Sequence, residues 1–431
     1  MGIIDTTWKI GIGRADITPR QPIAMAGWSG RRISQEVRLP LWAKALALQD
    51  AQGVTAVLVT ADLVGLSRSM SDELAERALQ KFGLQREQLI INSSHNHAGP
   101  VTGDVLHLYY DLSESDWETV ARYTDKLLDQ IEAAIGQALD SFAPGTLSFE
   151  SGLCGFGVNR RRDRSAESRE LPQVVDQDVP VLAVRDSDEK LRALVAGYAC
   201  HPTSFSLPQL SGEWPGFAQR ELESTFPDIT AFFVAGCGGD INPLPRFGKY
   251  HEELPEMFGK ILAASVCNAL EKPPQPLEAT LRLHYEEAVL QLVAPPNLAE
   301  VQAARSAISQ GENVYSRGLD YQLDAIAKGT TATTISFPMH VWRLGKLNFI
   351  ALSGEPVVDY SLLFKKKYGM QNTWVAGYCN ELTCYIPSLR VLREGGYEGK
   401  DGMLEYGWPS AFDETVEERI VETIDNLMRK K

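Results

Sequence analysis

The chain has 431 residues, with 42 Lys or Arg against 56 Asp or Glu, a formal charge of −14. Its 44% apolar and 9% aromatic content excludes the disordered and low-complexity classes, whose chains have too little apolar surface to bury. The acidity argues against a nucleic-acid partner or an anionic membrane surface, both of which are recognised through clustered cations; no run approaches the ~18 apolar residues that a transmembrane segment needs.

Apolar β-rich runs alternate with amphipathic ones. The pattern predicts a short buried strand at 54–60, then a helix over 67–82 with Leu74, Ala78 and Leu79 on one face. A second strand, 88–92, runs into Ser93-Ser94-His95. Residues 115–139 read as a long helix, opened by Ser-Glu-Ser-Asp and closed near Pro144. Strands follow at 146–150, 179–184 and 191–199. After a helix near 216–224 come a strand at 230–234, a glycine turn and a helix over 252–271. Beyond Pro273-Pro274 the pattern turns antiparallel, with strands at 278–285 and 289–293 before a helix over 298–308. Runs 334–341 and 346–351 form a hairpin turned at Leu344-Gly345. A helix near 357–367, a strand at 373–377, an irregular stretch and a C-terminal helix over 415–430 complete the series. The class is mixed α/β with helices covering sheet faces. Residues 1–431 read as one domain, in which only the Pro-rich stretch 272–277 offers an internal boundary.

The first residues show no cationic segment followed by a long apolar stretch, so no secretory signal is expected. Six cysteines are scattered without a CxxC pair, the usage of reduced thiols. A cytoplasmic protein is expected.

Only seven histidines exist, so their placement is informative. His95 and His97 follow the strand at 88–92; in extended backbone, residues two apart share a face. They can present two imidazoles to one ion, and zinc accepts imidazole nitrogen readily, although an HxH pair also arises by chance. His201 sits in Tyr-Ala-Cys-His-Pro-Thr-Ser at the end of another strand, where α/β proteins place ligands but where a histidine can also simply bond the backbone. The loop from Gly236 to Pro243 has the glycines that free backbone amides for an oxyanion site, or that make a tight connection. Glu355 lies between a strand and a helix, a place equally suited to a helix-dipole contact. Tyr378, Asn380 and Tyr385 follow the strand at 373–377, and their structural alternative is an aromatic turn packed on the core. Arg160, Arg161 and Arg162 can anchor an anionic group or form a solvated patch. Each motif has a purely structural alternative. Four strand ends each delivering one suit a single shared pocket.

Taken in order, the motifs resemble the neutral (non-lysosomal) ceramidase family. Gly11-Ile12-Gly13-Arg14-Ala15-Asp16-Ile17-Thr18-Pro19 is similar to its GxGRADITxP opening. Ser93 to Pro100 is similar to its S-x-T-H-T-H-S-G-P run, His201-Pro202-Thr203-Ser204 matches its HPTS, and Gly354-Glu355-Pro356 its GEF/GEP. Asn380 to Ile386 follows more loosely its N-x-Y-x-x-Y-[VI] stretch. The resemblance implies a zinc amidase on a layered α-β-β-α catalytic domain, without the family's C-terminal immunoglobulin-like domain. By resemblance the metal ligands are His95, His201, Glu355 and Tyr385, and His97 faces the scissile amide. His97, Asn242 and Tyr385 are the expected catalytic groups, with Gly239, Asp240 and Arg160 contacting the substrate.

One departure changes the expected chemistry. Where the family's glycine loop carries its proposed serine nucleophile, this chain has Asn242, and an amide cannot act as an alkoxide. Attack by a metal-activated water is expected instead, with Asn242 donating to the oxyanion. The expected substrate is a small polar or amphipathic N-acyl compound. The alternatives are an ester, lactone or glycoside-linked substrate on the same zinc site, or a metal-binding protein without catalysis. The oligomeric state stays open.

Overall fold

Two sheets stacked face to face organise the chain, which the computed structural model describes over residues 6–161, 174–246, 251–308, 311 and 313–430. The larger sheet has eight strands: β1 Trp8–Asp16, β2 Trp42–Gln49, β3 Thr55–Ala61, β4 Leu89–Ser93, β5 Ala143–Leu153, β6 Asp178–Asp186, β7 Leu191–Tyr198 and β8 Thr230–Ala235. Their spatial order is β8-β7-β6-β5-β1-β2-β3-β4. The smaller sheet runs in chain order through β9 Leu281–Gln291, β10 Thr334–Leu344, β11 Leu347–Leu352 and β12 Thr373–Ala376. Pairing is antiparallel except in β3/β4, β7/β8 and β11/β12, which are parallel.

Helices close both outer faces. α1 (Arg68–Phe82) and α2 (Glu114–Asp140) cover β1 to β4 through Leu74, Leu127, Leu128 and Ile131. α3 (Glu213–Thr225) and α4 (Leu254–Leu270) cover the other half through Trp214 and Phe258. Between the sheets lies a core that includes Trp8, Leu46, Phe232, Trp342, Phe349 and Trp374. Beyond the smaller sheet, Tyr360 and Phe364 of the helix Val358–Tyr368 pack with Ile420, Ile424 and Leu427 of the helix Val416–Arg429. The layering is α-β-β-α, as expected.

The glycines of the N-terminal motif serve packing. On β1 they lie two apart and so on one face. A Cβ on Gly11 would lie 1.8 Å from the Ala138 carbonyl oxygen, and one on Gly13 would lie 2.0 Å from that of Ala134. Helix α2 therefore sits directly on β1. Alternation of glycine lowers the strand signal, and β1 was not predicted. Nor was β2, whose Ala-Lys-Ala-Leu-Ala-Leu run reads as helix former, nor the helix Val314–Lys328.

Two further readings need correction. The strands placed at 278–285 and 289–293 are one continuous strand, β9, whose Glu286 and Glu287 carboxylates meet Lys430 and Arg68 instead of interrupting it. Leu79 is 45% exposed, because α1 turns Met70, Leu74 and Ala78 inward. The stretch 272–277 runs along β5: the Gln275 carbonyl accepts from Phe149 N at 3.0 Å, and Leu277 N donates to Leu147 O at 2.9 Å.

β4 and β8 are opposite edges of the larger sheet, yet they come together at one end. Asn92, fully buried on β4, links them. Its Oδ1 accepts from Ala235 N of β8 at 2.8 Å, and its Nδ2 donates to the Gly377 carbonyl, just past β12, at 2.7 Å. Gly377 N in turn donates to Ala235 O at 3.0 Å, and Ser93 N donates to Tyr378 O at 3.1 Å. Asn92→Ala leaves a buried donor and a buried acceptor unmet, each worth about 1–3 kcal/mol. The expected loss is about 3 kcal/mol in urea unfolding; a loss below about 1 kcal/mol would show that the strand ends hold without this side chain.

Candidate metal and catalytic site

Five strand ends meet at that rim. His95 stands two residues past β4 with φ of +60°, a conformation rare for a residue with a side chain. This corrects the strand-alternation reading of the HxH pair: the imidazoles of His95 and His97 meet because the chain turns left-handed after Ser94. Their Nε2 atoms lie 3.1 Å apart. His201, three residues past β7, brings its ring centre 4.8 Å from that of His95. Ligand atoms of all three histidines lie within 4.8 Å of one another.

Backbone carbonyls orient the two innermost rings. His95 Nδ1 pairs with Val64 O at 2.9 Å, and His201 Nδ1 with Gly238 O at 2.6 Å. With Nδ1–H held by a carbonyl, each ring turns a lone pair on Nε2 inward, the tautomer that metal-binding histidines use. Both Nε2 atoms lie 3.2 Å from Glu355 Oε2. The other oxygen, Oε1, accepts from Tyr406 Oη. His201 Nε2 and Glu355 Oε2 are buried without a properly aligned hydrogen-bond partner, an expensive arrangement for polar atoms unless something else is bound by them.

Glu355 reaches this point because Glu355–Pro356 pairs in parallel with Tyr385–Ile386. The pairing sets Tyr385 beside it, with its ring nearly parallel to His201 at 6.5 Å. Burial pushes the Tyr385 phenol well up, and the Glu355 charge adds to the shift. Burial would also raise the Glu355 carboxyl, but the His95 and His201 imidazoles outweigh it and hold it well below its usual value. His201 is lowered to about 4, by burial first and by the Arg160 charge next. Burial and the two neighbouring imidazoles hold His97 well below its ordinary value.

The glycine loop makes close backbone contacts. Gly239 N donates to Pro356 O at 3.0 Å, so this amide is engaged; a Cβ there would lie 2.6 Å from Glu355 O, which requires glycine. Asp240 is fully buried, its Oδ1 accepting from Val358 N and its Oδ2 from Asn159 Nδ2, at 2.9 and 2.7 Å. Both oxygens therefore anchor the loop. Asn242 is at the rim, its Oδ1 3.5 Å from Arg160 Nη1. Arg160 is no solvated residue: its Nε donates to Glu398 at 2.6 Å, and its guanidinium lies 5.4 Å from the Tyr385 ring centre. Arg161 shares Glu398 at 2.7 Å. Arg162 lies outside the described residues.

Tyr378 stands out in the sequence only as part of the stretch after the strand at 373–377, and Tyr406 and Glu213 not at all. Tyr378 stacks on His95 at 4.4 Å with φ of +53°, and its hydroxyl is buried without a hydrogen-bond partner. Tyr406 comes from a six-residue 3-10 helix with no motif. Glu213, also at φ of +53°, is completely buried. It accepts from Ser204 Oγ, Phe205 N and Trp214 N at 2.7, 2.6 and 2.9 Å, while Trp214 Nε1 donates to His201 O at 3.1 Å. It thereby shapes the loop that carries His201.

The family model described as neutral/alkaline non-lysosomal ceramidase, N-terminal, matches residues 8–240, which takes in the three histidines but not Asn242, Glu355 or Tyr385. The neutral ceramidase of Drosophila melanogaster is 24% identical over 262 residues, 56% of this chain and 37% of the relative; the match thus spans little more than a third of that protein. The neutral ceramidase of Mycobacterium tuberculosis is 26% identical over 473 aligned positions, 91% of this chain and 73% of the relative. Among solved structures, neutral ceramidase from Pseudomonas aeruginosa superposes with a TM-score of 0.72 at 17% identity, over 98% of this chain and 75% of that one; it shares the fold.

Burial raises the Glu213 carboxyl to about 7, against hydrogen bonds from Ser204, Trp214 and Phe205 that lower it. The folded state then keeps a proton that the unfolded chain releases near its ordinary value, so stability from this group is full in acid and is lost as pH rises through about 7. Glu213→Gln is neutral at every pH. The stability difference, parent minus variant, is expected to fall between about pH 4.5 and pH 7 in denaturant titrations; a flat difference would mean that Glu213 stays ionised.

Proposed function

We propose, on the premise that the chain belongs to the neutral/alkaline non-lysosomal ceramidase family, that it is a zinc-dependent hydrolase cleaving the amide (N-acyl) bond of a small polar or amphipathic substrate. The reading rests on the buried convergence of His95 Nε2, His201 Nε2 and Glu355 Oε2, each pair involving the carboxylate 3.2 Å apart. Two imidazole nitrogens, one carboxylate oxygen and the adjacent Tyr385 phenol make a donor set that suits a catalytic zinc ion. When bound, zinc would supply Lewis-acid polarisation of the carbonyl and of water.

The remaining work falls to side chains. His97, kept neutral by burial and its neighbours, turns Nε2 toward the cluster. That atom takes a proton from the attacking water and returns it to the leaving nitrogen. Water's oxygen forms the new bond to the acyl carbon, the C–N bond breaks, and a carboxylic acid and an amine leave. Asn242 has no hydroxyl and forms no acyl intermediate. With its Oδ1 facing Arg160, its amide N–H is the group left to donate to the oxyanion. Glu355, held by Tyr406 Oη, keeps its other oxygen aimed inward.

The surroundings support a polar or amphipathic substrate. Tyr406 also walls a cavity of about 340 Å³ lined by Arg68, Asp104, His107 and Glu381 together with Leu106 and Trp408. All six cysteines are free thiols, which supports a reducing compartment, and we place the protein in the cytoplasm. Among the described residues no helix is long and apolar enough to cross a membrane.

Metal analysis of the purified chain should find one zinc per chain, lost in His201→Ala and Glu355→Gln. His97→Ala should keep the metal and lose about 10²–10⁴-fold in kcat; loss of metal there would make His97 a third imidazole ligand. Asn242→Ala should lower kcat by about 10²–10³-fold with metal retained. A panel of short N-acyl amides and matching esters tests the bond: cleavage of esters alone would overturn the amidase reading, and no cleavage by a zinc-loaded chain would leave a metal-binding protein.

A further inference from the structure

The segments that hold the imidazole cluster also wall the cavity beyond Tyr406. Val64, whose carbonyl pairs with His95 Nδ1, runs into Ser67 and Arg68 of the cavity wall. Glu381 and Thr383 line the same cavity just ahead of Tyr385, and the Glu381 carbonyl accepts from Gly354 N, next to Glu355, at 2.9 Å. Tyr406 turns its hydroxyl to Glu355 Oε1 and is itself part of the wall. A hollow of about 340 Å³ therefore adjoins the cluster across a single tyrosine side chain.

Its charges do not balance. Among the described residues that line it, Arg68 is the one arginine or lysine, against the carboxylates of Asp104 and Glu381. Arg68 is also claimed from behind: its Nη1 donates to both oxygens of Glu287 at 3.0 and 3.1 Å, and its Nη2 to Ser336 O at 3.3 Å. Glu381 is only 4% exposed. Its Oε1 accepts from Thr383 Oγ1 at 2.7 Å. Its Oε2 lies 2.5 Å from Arg68 Nε, yet no donor is aligned on it, and it is buried without a hydrogen bond. Burial raises the Glu381 carboxyl; Arg68 and the Thr383 hydroxyl lower it in part, and the charges of Glu287 and Asp72 raise it further. Asp104 is exposed, with no cation paired to it among the described residues. A buried carboxylate short of both donors and positive charge is unfavourable unless a ligand supplies them.

We propose that this cavity receives a positively charged group of the substrate, an ammonium that pairs with Glu381 and Asp104 while the acyl–nitrogen bond lies at His97. This rests on the amide hydrolysis proposed above and names its substrate class: an N-acyl compound that bears a second, cationic nitrogen. An ammonium brings the N–H donors that Glu381 Oε2 lacks. Trp408, whose Nε1 is already spent on Thr383 O at 2.9 Å, and Tyr406 add aromatic rings that attract a cation. A chain with a formal charge of −14 draws such a substrate toward its surface.

Three non-hydrolysable sulfonamide analogues, in which SO2 replaces the acyl carbonyl, test this on the full chain as isolated. One carries a primary ammonium on the amine side, one carries it on the acyl side, and the third has a neutral hydroxyl instead. A protonated ammonium has no lone pair to give a metal, so calorimetry reads the carboxylates. One ammonium analogue should bind about tenfold tighter than the hydroxyl one or better, the worth of one charge-assisted contact. That ratio should shrink as salt rises from about 50 to about 500 mM. It should fall about fivefold or more in Glu381→Gln, and about threefold in Asp104→Asn, an exposed position whose change leaves the Arg68 ion pairs in place. Equal binding of all three analogues by the parent chain overturns the proposal without any variant, and so does a preference that survives in both variants. The corresponding amides are assayed in parallel. Tight ammonium binding without cleavage of any amide would sink the reaction and keep the cation site; cleavage of the neutral amide with no ammonium preference would do the reverse.

Discussion

Everything at the rim depends on one buried amide. Asn92 belongs to β4 yet completes the backbone bonding of β8 and of the turn after β12. Those three strand ends belong to two sheets and to the two opposite edges of the larger one, and through backbone they are joined only by isolated bridges such as Asn92 with Cys379 and Gly236 with Ala376. Only an amide side chain meets the need, because it offers a donor and an acceptor about 2 Å apart to a neighbouring N–H and C=O. With the ends so fixed, His95 follows from β4, the glycine loop from β8 and Tyr378 from β12, each within three residues of the joint. A shift of one strand end would carry its ligand residue with it, which is why a metal-type cluster can be assembled from segments as far apart as residues 95 and 355.

The joint is accompanied by local strain. His95, Tyr378 and Asn380 all adopt left-handed backbone, at φ of 60°, 53° and 64°, each at a cost of about 1–3 kcal/mol. Asn380 shows how such a conformation is held: its N donates to Ile91 O at 2.6 Å and its Oδ1 accepts from Ile91 N at 3.2 Å. The side chain thus continues the β4 edge while the backbone turns away from it. Tyr378, thrown inward by its own turn, lies flat on the His95 imidazole. The strained residues are therefore the ones that place and brace the inward-facing nitrogen, and fold stability is given up where the site needs an otherwise unfavourable geometry.

Much of this was readable in the chain itself. Strands built on an apolar run, such as β4 and β8, and capped amphipathic helices, such as α1 behind Ser67, carry strong local signals. The chemistry-bearing histidines and Glu355 stood out because they end such strands. The omissions have physical causes. β1 and β2 are glycine- and alanine-rich because α2 lies against them, so the residues that make the packing close are the ones that erase the strand pattern. Glu213 and Tyr406 owe their places to backbone angles and distant partners, which no window of sequence records. That the Asp240 oxygens hold Val358 N and Asn159 Nδ2 is likewise set by distant partners.

Asparagine at position 242 bears on the shape of the whole site. A hydroxyl there would attack the acyl carbon from within the protein, and the hollow would need no room for a reacting water until the amine had gone. In the hydrolysis proposed above, an amide in that place means that the oxygen comes from solvent while the substrate is already bound. The hollow must then hold substrate and water together, against a wall of buried tyrosines that cannot ionise near neutral pH, since burial pushes Tyr378, Tyr385 and Tyr406 all well up. His97 is the one basic side chain at that wall that burial keeps neutral while leaving it partly accessible. Trp28 meets its ring edge-on at 5.9 Å and donates from Nε1 to its carbonyl at 3.1 Å, so one indole holds both the backbone and the imidazole of His97.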